Sequence, residues 1–176
     1  SISKRRTGNG ACGAGSGGIT GDVNIAGQLD GRVTVITERD VNITNHLTYA
    51  VDPKTNAASD DALGLIAGRD IVVKPSCPND LLIYAHMMAT GNLTPSSDTD
   101  GSFGVQSYAN PPPRGTLSVH GGIVQNVRGA VGTFSGINMY SGYDKKYTYD
   151  TRFTTDPPPE YPPMMDQLIF DKWRDQ

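Results

Sequence analysis

The sequence predicts an all-β fold: a right-handed parallel β-solenoid, or β-helix, closed by an extended Pro/Tyr-rich C-terminal cap. Three observations point there. Glycine (21) and proline (12) make up about a fifth of the 176 residues, while hydrophobic side chains reach only 36%. That composition suits short strands and tight turns around a narrow interior. Short runs with apolar residues two apart recur from Gly21 onward, and a period of two puts successive side chains on opposite faces of a strand. Two of these runs, Asp22–Ile25 and Asp40–Ile43, are identical and start 18 residues apart, and the similar Asp70–Val73 starts 30 residues further on. Self-similarity on that scale marks stacked repeats.

Other classes are disfavoured. A net charge of −3 and recurrent β-branched residues are unlike a disordered chain, which combines low hydrophobicity with high net charge. The Ala, Leu, Glu and Lys runs of long helices are missing. A pI near 5.5 excludes nucleic acid as the main partner, since a phosphate-backbone binder carries a clustered basic excess. No stretch reaches the roughly 20 apolar residues of a membrane helix. A chain opening Ser-Ile-Ser-Lys without methionine or signal peptide reads as trimmed or processed, so a leader or anchor can lie outside it.

Taken in order, residues 1–20 form a flexible Gly-rich arm whose Lys4-Arg5-Arg6 run is a solvated tail. Residues 21–135 form the solenoid body. Its units are Gly21–Ile25, Gly31–Val35, Arg39–Ile43, Leu63–Ile66, Arg69–Val73, Leu81–Ala85, Ser102–Val105 and Gly115–Val119. In stacked repeats Val23, Ile25, Val41, Ile43, Ile71 and Val73 form ladders inside, Asn24, Asn42 and Val72 face outward, and Asp22, Asp40 and Asp70 occupy one corner. The excursion 51–61 absorbs the irregular spacing. The Gly115–Val124 run bends at Gly121-Gly122, where a missing Cβ permits close approach, and Arg128–Phe134 supplies another short strand. Residues 136–176 are the C-terminal capping segment. Prolines 157–159 and 162–163 keep part of it extended and outside a central sheet, and Met164–Trp173 fits either an edge strand or a helical turn. The whole is one domain. The alternative is an antiparallel β-sandwich, which also uses short strands at 8–12-residue spacing, but two-residue hairpin signals between neighbouring runs are scarce.

The segments Gly115–Val124, Arg128–Phe134, Gly142-Tyr143, Tyr147-Thr-Tyr-Asp-Thr-Arg152 and Pro157-Pro-Pro159, ending near Trp173, resemble a C-terminal region of PilX-like type IV pilus-associated proteins and related uncharacterised bacterial envelope proteins. The resemblance runs from Gly21 to Trp173 and is most specific from residue 115. It implies an extracellular or cell-envelope location, a noncatalytic structural or adhesive role, and no catalytic residues. The partners it implies are envelope or pilus proteins, neighbouring copies of the chain, or surface glycans. This chain lacks the N-terminal hydrophobic pilin helix, so envelope attachment is the safer expectation.

Several residues are candidates for chemistry. Asp22, Asp40 and Asp70 raise the alternative of a polysaccharide lyase or hydrolase, since glycoside hydrolysis needs two carboxylates about 5–9.5 Å apart. Each stands at a repeated strand start, where a carboxylate caps turn N–H groups. His46, His86 and His120 lie on separate units without metal-ligand spacing, and His120 before Gly121-Gly122 is the one to inspect first. Asp98 and Asp100, two apart before Gly101, resemble the start of a calcium loop whose later ligands are missing. No other cofactor is implied. Cys12 and Cys77 could pair in a disulfide tying the arm to the body. Asn42-Ile-Thr44 and Asn92-Leu-Thr94 fit the glycosylation pattern. Tyr140, Tyr143, Tyr147, Tyr149 and Tyr161 with Arg152 offer either a recognition surface or a cap over the solenoid end, where open strand edges invite aggregation or filament self-assembly.

Overall fold

The computed structural model describes residues 21–91 and 100–162. Over these the chain is all-β, 54% strand and 3% helix, in one nearly closed mixed sheet. The strands are β1 (Val23–Leu29), β2 (Arg32–Thr37), β3 (Val41–Tyr49), β4 (Ala62–Ala67), β5 (Ile71–Val73), β6 (Leu81–Ala89), β7 (Phe103–Val105), β8 (Pro113–Gln125), β9 (Gly132–Ser135) and β10 (Asn138–Tyr149), followed by a 3-10 turn at Thr151–Thr154. Among the described residues eight ladders are parallel, and β9 on β10 is antiparallel. The antiparallel sandwich is therefore not the architecture.

The ladders fall into three rows. In the first, Val23, Val41, Ile71 and Phe103 lie in register, as do Ile25, Ile43, Val73 and Val105. The second aligns Leu47, Ile83, Val119 and Tyr147. The third aligns Val35, Leu65, Met87 and Ile123. Successive passes of the chain thus put like on like, which is why near-identical short runs recur in the sequence. Ile43, Leu47, Leu65, Ile71, Ile83, Met87 and Leu117 are fully buried in one cluster, each contributing roughly 1.5–3 kcal/mol by leaving water. Between them Asn24 is exposed and Val72 half-buried, but Asn42 is buried and its Oδ1 has no partner.

The repeated aspartates mark one corner, and each binds the following pass. Asp22 Oδ1 accepts from Arg39 Nε at 3.0 Å, and Asp40 Oδ1 accepts from the Asp70 N–H at 3.3 Å. Asp70 Oδ1 accepts from the Gly101 and Ser102 N–H groups and the Ser102 hydroxyl at 3.0, 2.8 and 2.9 Å. Alongside, Val23, Val41 and Ile71 N–H groups donate to the Asp40, Asp70 and Ser102 carbonyls.

Strand β8 bends where the sequence places two glycines. Gly121 has φ +152°, and a Cβ there would lie 1.8 Å from the Ala85 carbonyl oxygen. This turn moves β8 from the second row to the third without interrupting its pairing to β6.

Two boundaries differ from the sequence reading. The last short strand is Gly132–Ser135 rather than Arg128–Phe134. The division at 135/136 falls inside the β9–β10 hairpin, and β10 pairs with β8 from Gly142 to Tyr149. β10 forms the outermost strand of the second row, with residues 144–149 exposed, so the body runs to residue 149. Among the described residues of the capping segment, 150–162 join no ladder. That segment contacts Arg32, Thr34, Ser59 and His86 on earlier passes, so it lies along the flank of the sheet. Met164–Trp173 lie outside the described residues.

Candidate functional site

The densest group of polar side chains sits where this segment leaves β10. Tyr84 and His120 are register partners on β6 and β8, at outward positions next to the inward Ile83 and Val119. Their rings stack edge-on at 5.4 Å, and Tyr49 packs edge-on to Tyr84 at 5.5 Å. The excursion 51–61 lies against Tyr84. The Tyr84 hydroxyl donates to Asp52 Oδ2 at 3.1 Å, and Lys54 Nζ lies 4.7 Å above the Tyr84 ring. Asp61, fully buried, holds this excursion in place by accepting from the Gly31 and Val51 N–H groups at 2.5 and 2.9 Å.

Asp150 ends β10 and caps the 3-10 turn, its Oδ1 accepting from the Arg152 N–H at 3.1 Å. The Arg152 guanidinium returns to the same carboxylate, with Nε at 3.0 and 3.1 Å from its two oxygens and Nη2 at 2.6 Å from Oδ2. Its outer nitrogens donate to the Ser59 and Asp61 carbonyls at 2.6 and 3.2 Å. His120 Nε2 is 3.5 Å from Asp150 Oδ2, and His120 Nδ1 is buried without a partner. Burial alone would raise the Asp150 pKa, but hydrogen bonds and charge from Arg152 outweigh it and hold the carboxyl below its ordinary value. The hydrogen bond to Asp150 raises the Arg152 pKa. Burial lowers the His120 pKa despite the Asp150 charge, and burial followed by the Asp52 charge pushes Tyr84 up to about 12.

A second aromatic group adjoins it. His86 projects outward between Gly64 and Gly122, its register partners on β4 and β8. A Cβ on Gly122 would sit 2.4 Å from His86 Nε2, so glycine is what gives the imidazole room. The rings of Phe153 and Tyr161 cover it at 5.3 and 4.7 Å, and Tyr149 meets it edge-on at 6.2 Å. His86 is 1% exposed, its Nδ1 has no partner, and burial lowers its pKa.

Chemically, Asp150 is a neutralised acid binding three chain segments together. Asp150 and His120 are both buried, at 3% and 7% exposure.

The structure separates the other residues singled out from sequence. Tyr140 is 55% exposed on the hairpin. Tyr143 is buried, with its hydroxyl donating to the Pro78 carbonyl at 2.8 Å and Arg114 lying 4.8 Å above its ring. Tyr147 lies edge-on to Phe103 at 6.4 Å. Tyr149, Arg152 and Tyr161 join the histidine groups. His46 Nδ1 accepts from the Leu82 N–H at 3.1 Å. Asp100 pairs with Arg69 at 3.4 Å, while Asp98 and Asn92 lie outside the described residues. Among the described residues no three His, Cys, Asp or Glu side chains form a metal group. Cys77 is a buried free thiol whose Sγ contacts the Ile43 carbonyl oxygen at 3.2 Å. Cys12, its expected disulfide partner, lies outside the described residues. Sequence reasoning missed Tyr49, Tyr84, Asp61 and Asp150. The Asp150-x-Arg152 spacing just after a Tyr-rich alternating strand was the available signal for a capped turn.

The architecture defines an all-β chain with a mostly parallel sheet, and among the described residues no helix is long and apolar enough to cross a membrane. Compared with protein families, curated proteins and solved structures, the chain matches none. None of these comparisons links the chain to PilX-like proteins.

Proposed function

We propose that the chain is a noncatalytic structural or adhesive module of a bacterial cell surface, pilus or extracellular fibre, its sheet forming the wall of a right-handed β-solenoid. The observation that carries this reading is the use made of the acidic residues. A hydrolase on such a wall needs a carboxylate pair free to meet substrate. Here Asp40 and Asp70 accept from amides of the next pass, and Asp150 is held by Arg152. These three carboxylates are committed to bonds within the chain, which favours a rigid scaffold. A filament subunit is a second reading, favoured by the hairpin tip, where Phe134, Ile137 and Tyr140 are 51, 97 and 55% exposed.

The test pairs a reducing-sugar assay across bacterial polysaccharides with a glycan array and sedimentation of the full chain. The expected result is no turnover, with Asp70→Asn lowering the melting temperature by a few degrees as three hydrogen bonds to its carboxylate weaken. Turnover that disappears in folded Asp40→Asn or Asp70→Asn protein would make the chain an enzyme. Long polymers at neutral pH would favour the filament.

A further inference from the structure

We propose that residues 150–161 form an acid-released strap, held over His86 and His120 while both imidazoles are neutral and freed when they take up protons, with the stacked ladders beneath staying folded. Three observations carry it.

The strap is attached differently from everything under it. Its backbone joins no ladder: the Asp150 N–H donates to the Gly121 carbonyl, and the remaining backbone bonds of 153–161 are turns within the segment. Side chains do the holding, through Arg152 on the Ser59 and Asp61 carbonyls, Phe153 and Tyr161 on His86, Arg32 on Asp156 at 2.6 Å, and Thr34 on the Pro159 carbonyl. A segment without ladder bonds opens at lower free energy than the strands it covers.

Both histidines beneath it are buried with Nδ1 unpartnered. A neutral imidazole tolerates one bare nitrogen as an acceptor, whereas an imidazolium carries an N–H on both. Charging either ring in place therefore leaves a buried donor without an acceptor. Opening the strap returns that nitrogen to water.

The surrounding charges do not cancel this penalty. Around His120 stand Asp150 and Asp52, which favour the imidazolium, and Arg152 and Lys54, which oppose it, with the Tyr84 ring alongside. Around His86 the charge acting is Asp150, and its other titratable neighbours are Tyr149 and Tyr161. Desolvation is the largest influence on both histidines and lowers both. The sign follows. The closed state binds fewer protons than the open one, so closure is favoured above the ordinary histidine value of about 6.5 and weakens as pH falls below it. The open-to-closed ratio then rises up to about tenfold per pH unit for each histidine released, and about a hundredfold for both.

The experiment is hydrogen exchange by mass spectrometry on the full chain at pH 7.5 and 5.0, read as protection factors corrected for intrinsic exchange. Peptides covering 150–161 should lose ten- to a hundredfold protection at pH 5.0 while β6 and β8 peptides hold theirs. The double variant His86→Phe/His120→Gln, which keeps an aromatic ring and a donor toward Asp150, should show no such loss. Imidazole proton shifts followed by NMR on the native protein check the same claim without substitution, and both histidines should titrate below 6.5. Strap protection independent of pH, strap and ladder peptides opening together, a double variant that keeps the pH response, or histidines titrating at or above 6.5 would each overturn the proposal.

Discussion

The stacked rows and the strap both bury side chains efficiently, yet by opposite means. In the rows, backbone ladders set the spacing and aliphatic side chains fill the interior in register, as in Val41, Ile71 and Phe103. In the strap, no ladder fixes the chain, and Asp150, Arg152, Phe153 and Tyr161 position it through ion pairs and rings. The rows should therefore fail as a unit, through backbone geometry. The strap should fail locally, through charge. This contrast teaches where substitutions act on global stability and where they act on a single surface.

The largest effect is expected at Gly121. Alanine there meets the Ala85 carbonyl and a backbone φ that L-residues rarely adopt, so β8 cannot turn from the second row to the third while staying paired to β6. Gly121→Ala should cost on the order of 4 kcal/mol or more, read as loss of soluble folded protein or collapse of the urea midpoint. A wild-type midpoint in this variant would mean that the bend is not what holds the two rows together.

Arg152→Met should come next. It leaves the Asp150 carboxylate buried and deprived of its guanidinium partner, a loss of about 2–3 kcal/mol given that the arginine is partly exposed. The cost should appear in the strap, as faster proteolysis within 150–162, with little change in the ladders. Adding Asp150→Asn should recover part of the loss, because the orphaned charge is then gone. The comparison breaks if Arg152→Met unfolds the rows as readily as Gly121→Ala does.

Much of the rows was legible in the sequence. The repeated Asp-Val-Asn-Ile runs fix both the alternation and the register, because identical residues stacked on one another satisfy the same environment at each level. The Gly121-Gly122 bend was legible for a related reason, since two adjacent glycines in a strand mark a place where Cβ atoms do not fit. The strap was not. Prolines 157–159 announce an extended segment, but nothing local says which surface it crosses. That depends on His86 finding room beside Gly122 and Tyr161 finding room over Gly64, residues far apart in the chain. Asn42 was placed outward by alternation and is buried all the same, for which the structure gives no account. The clasp at Asp150 was hidden because tyrosines spread over β3, β6 and β10 become neighbours only once the passes are stacked.

The smallest effect is expected at the far end of the strap. Arg32 makes a two-pronged pair with Asp156, at 2.6 and 2.7 Å, but the Asp156 side chain is 69% exposed and the Arg32 side chain 28%. Water and salt screen such a pair, and exposed ion pairs contribute about 0.2–1 kcal/mol. Asp156→Asn keeps an acceptor for the guanidinium and removes only the charge, while Arg32 retains its bond to the Pro157 carbonyl at 2.7 Å. The expected change is therefore under about 1 kcal/mol in strap opening, vanishing near 1 M salt, where the screening length falls to about 3 Å. Arg152→Met should keep most of its effect at that salt, because Asp150 is buried. If Asp156→Asn instead matched Arg152→Met and persisted in salt, the strap would be anchored from its exposed end. The buried Asp150–Arg152 pair would then be a consequence of closure rather than its cause.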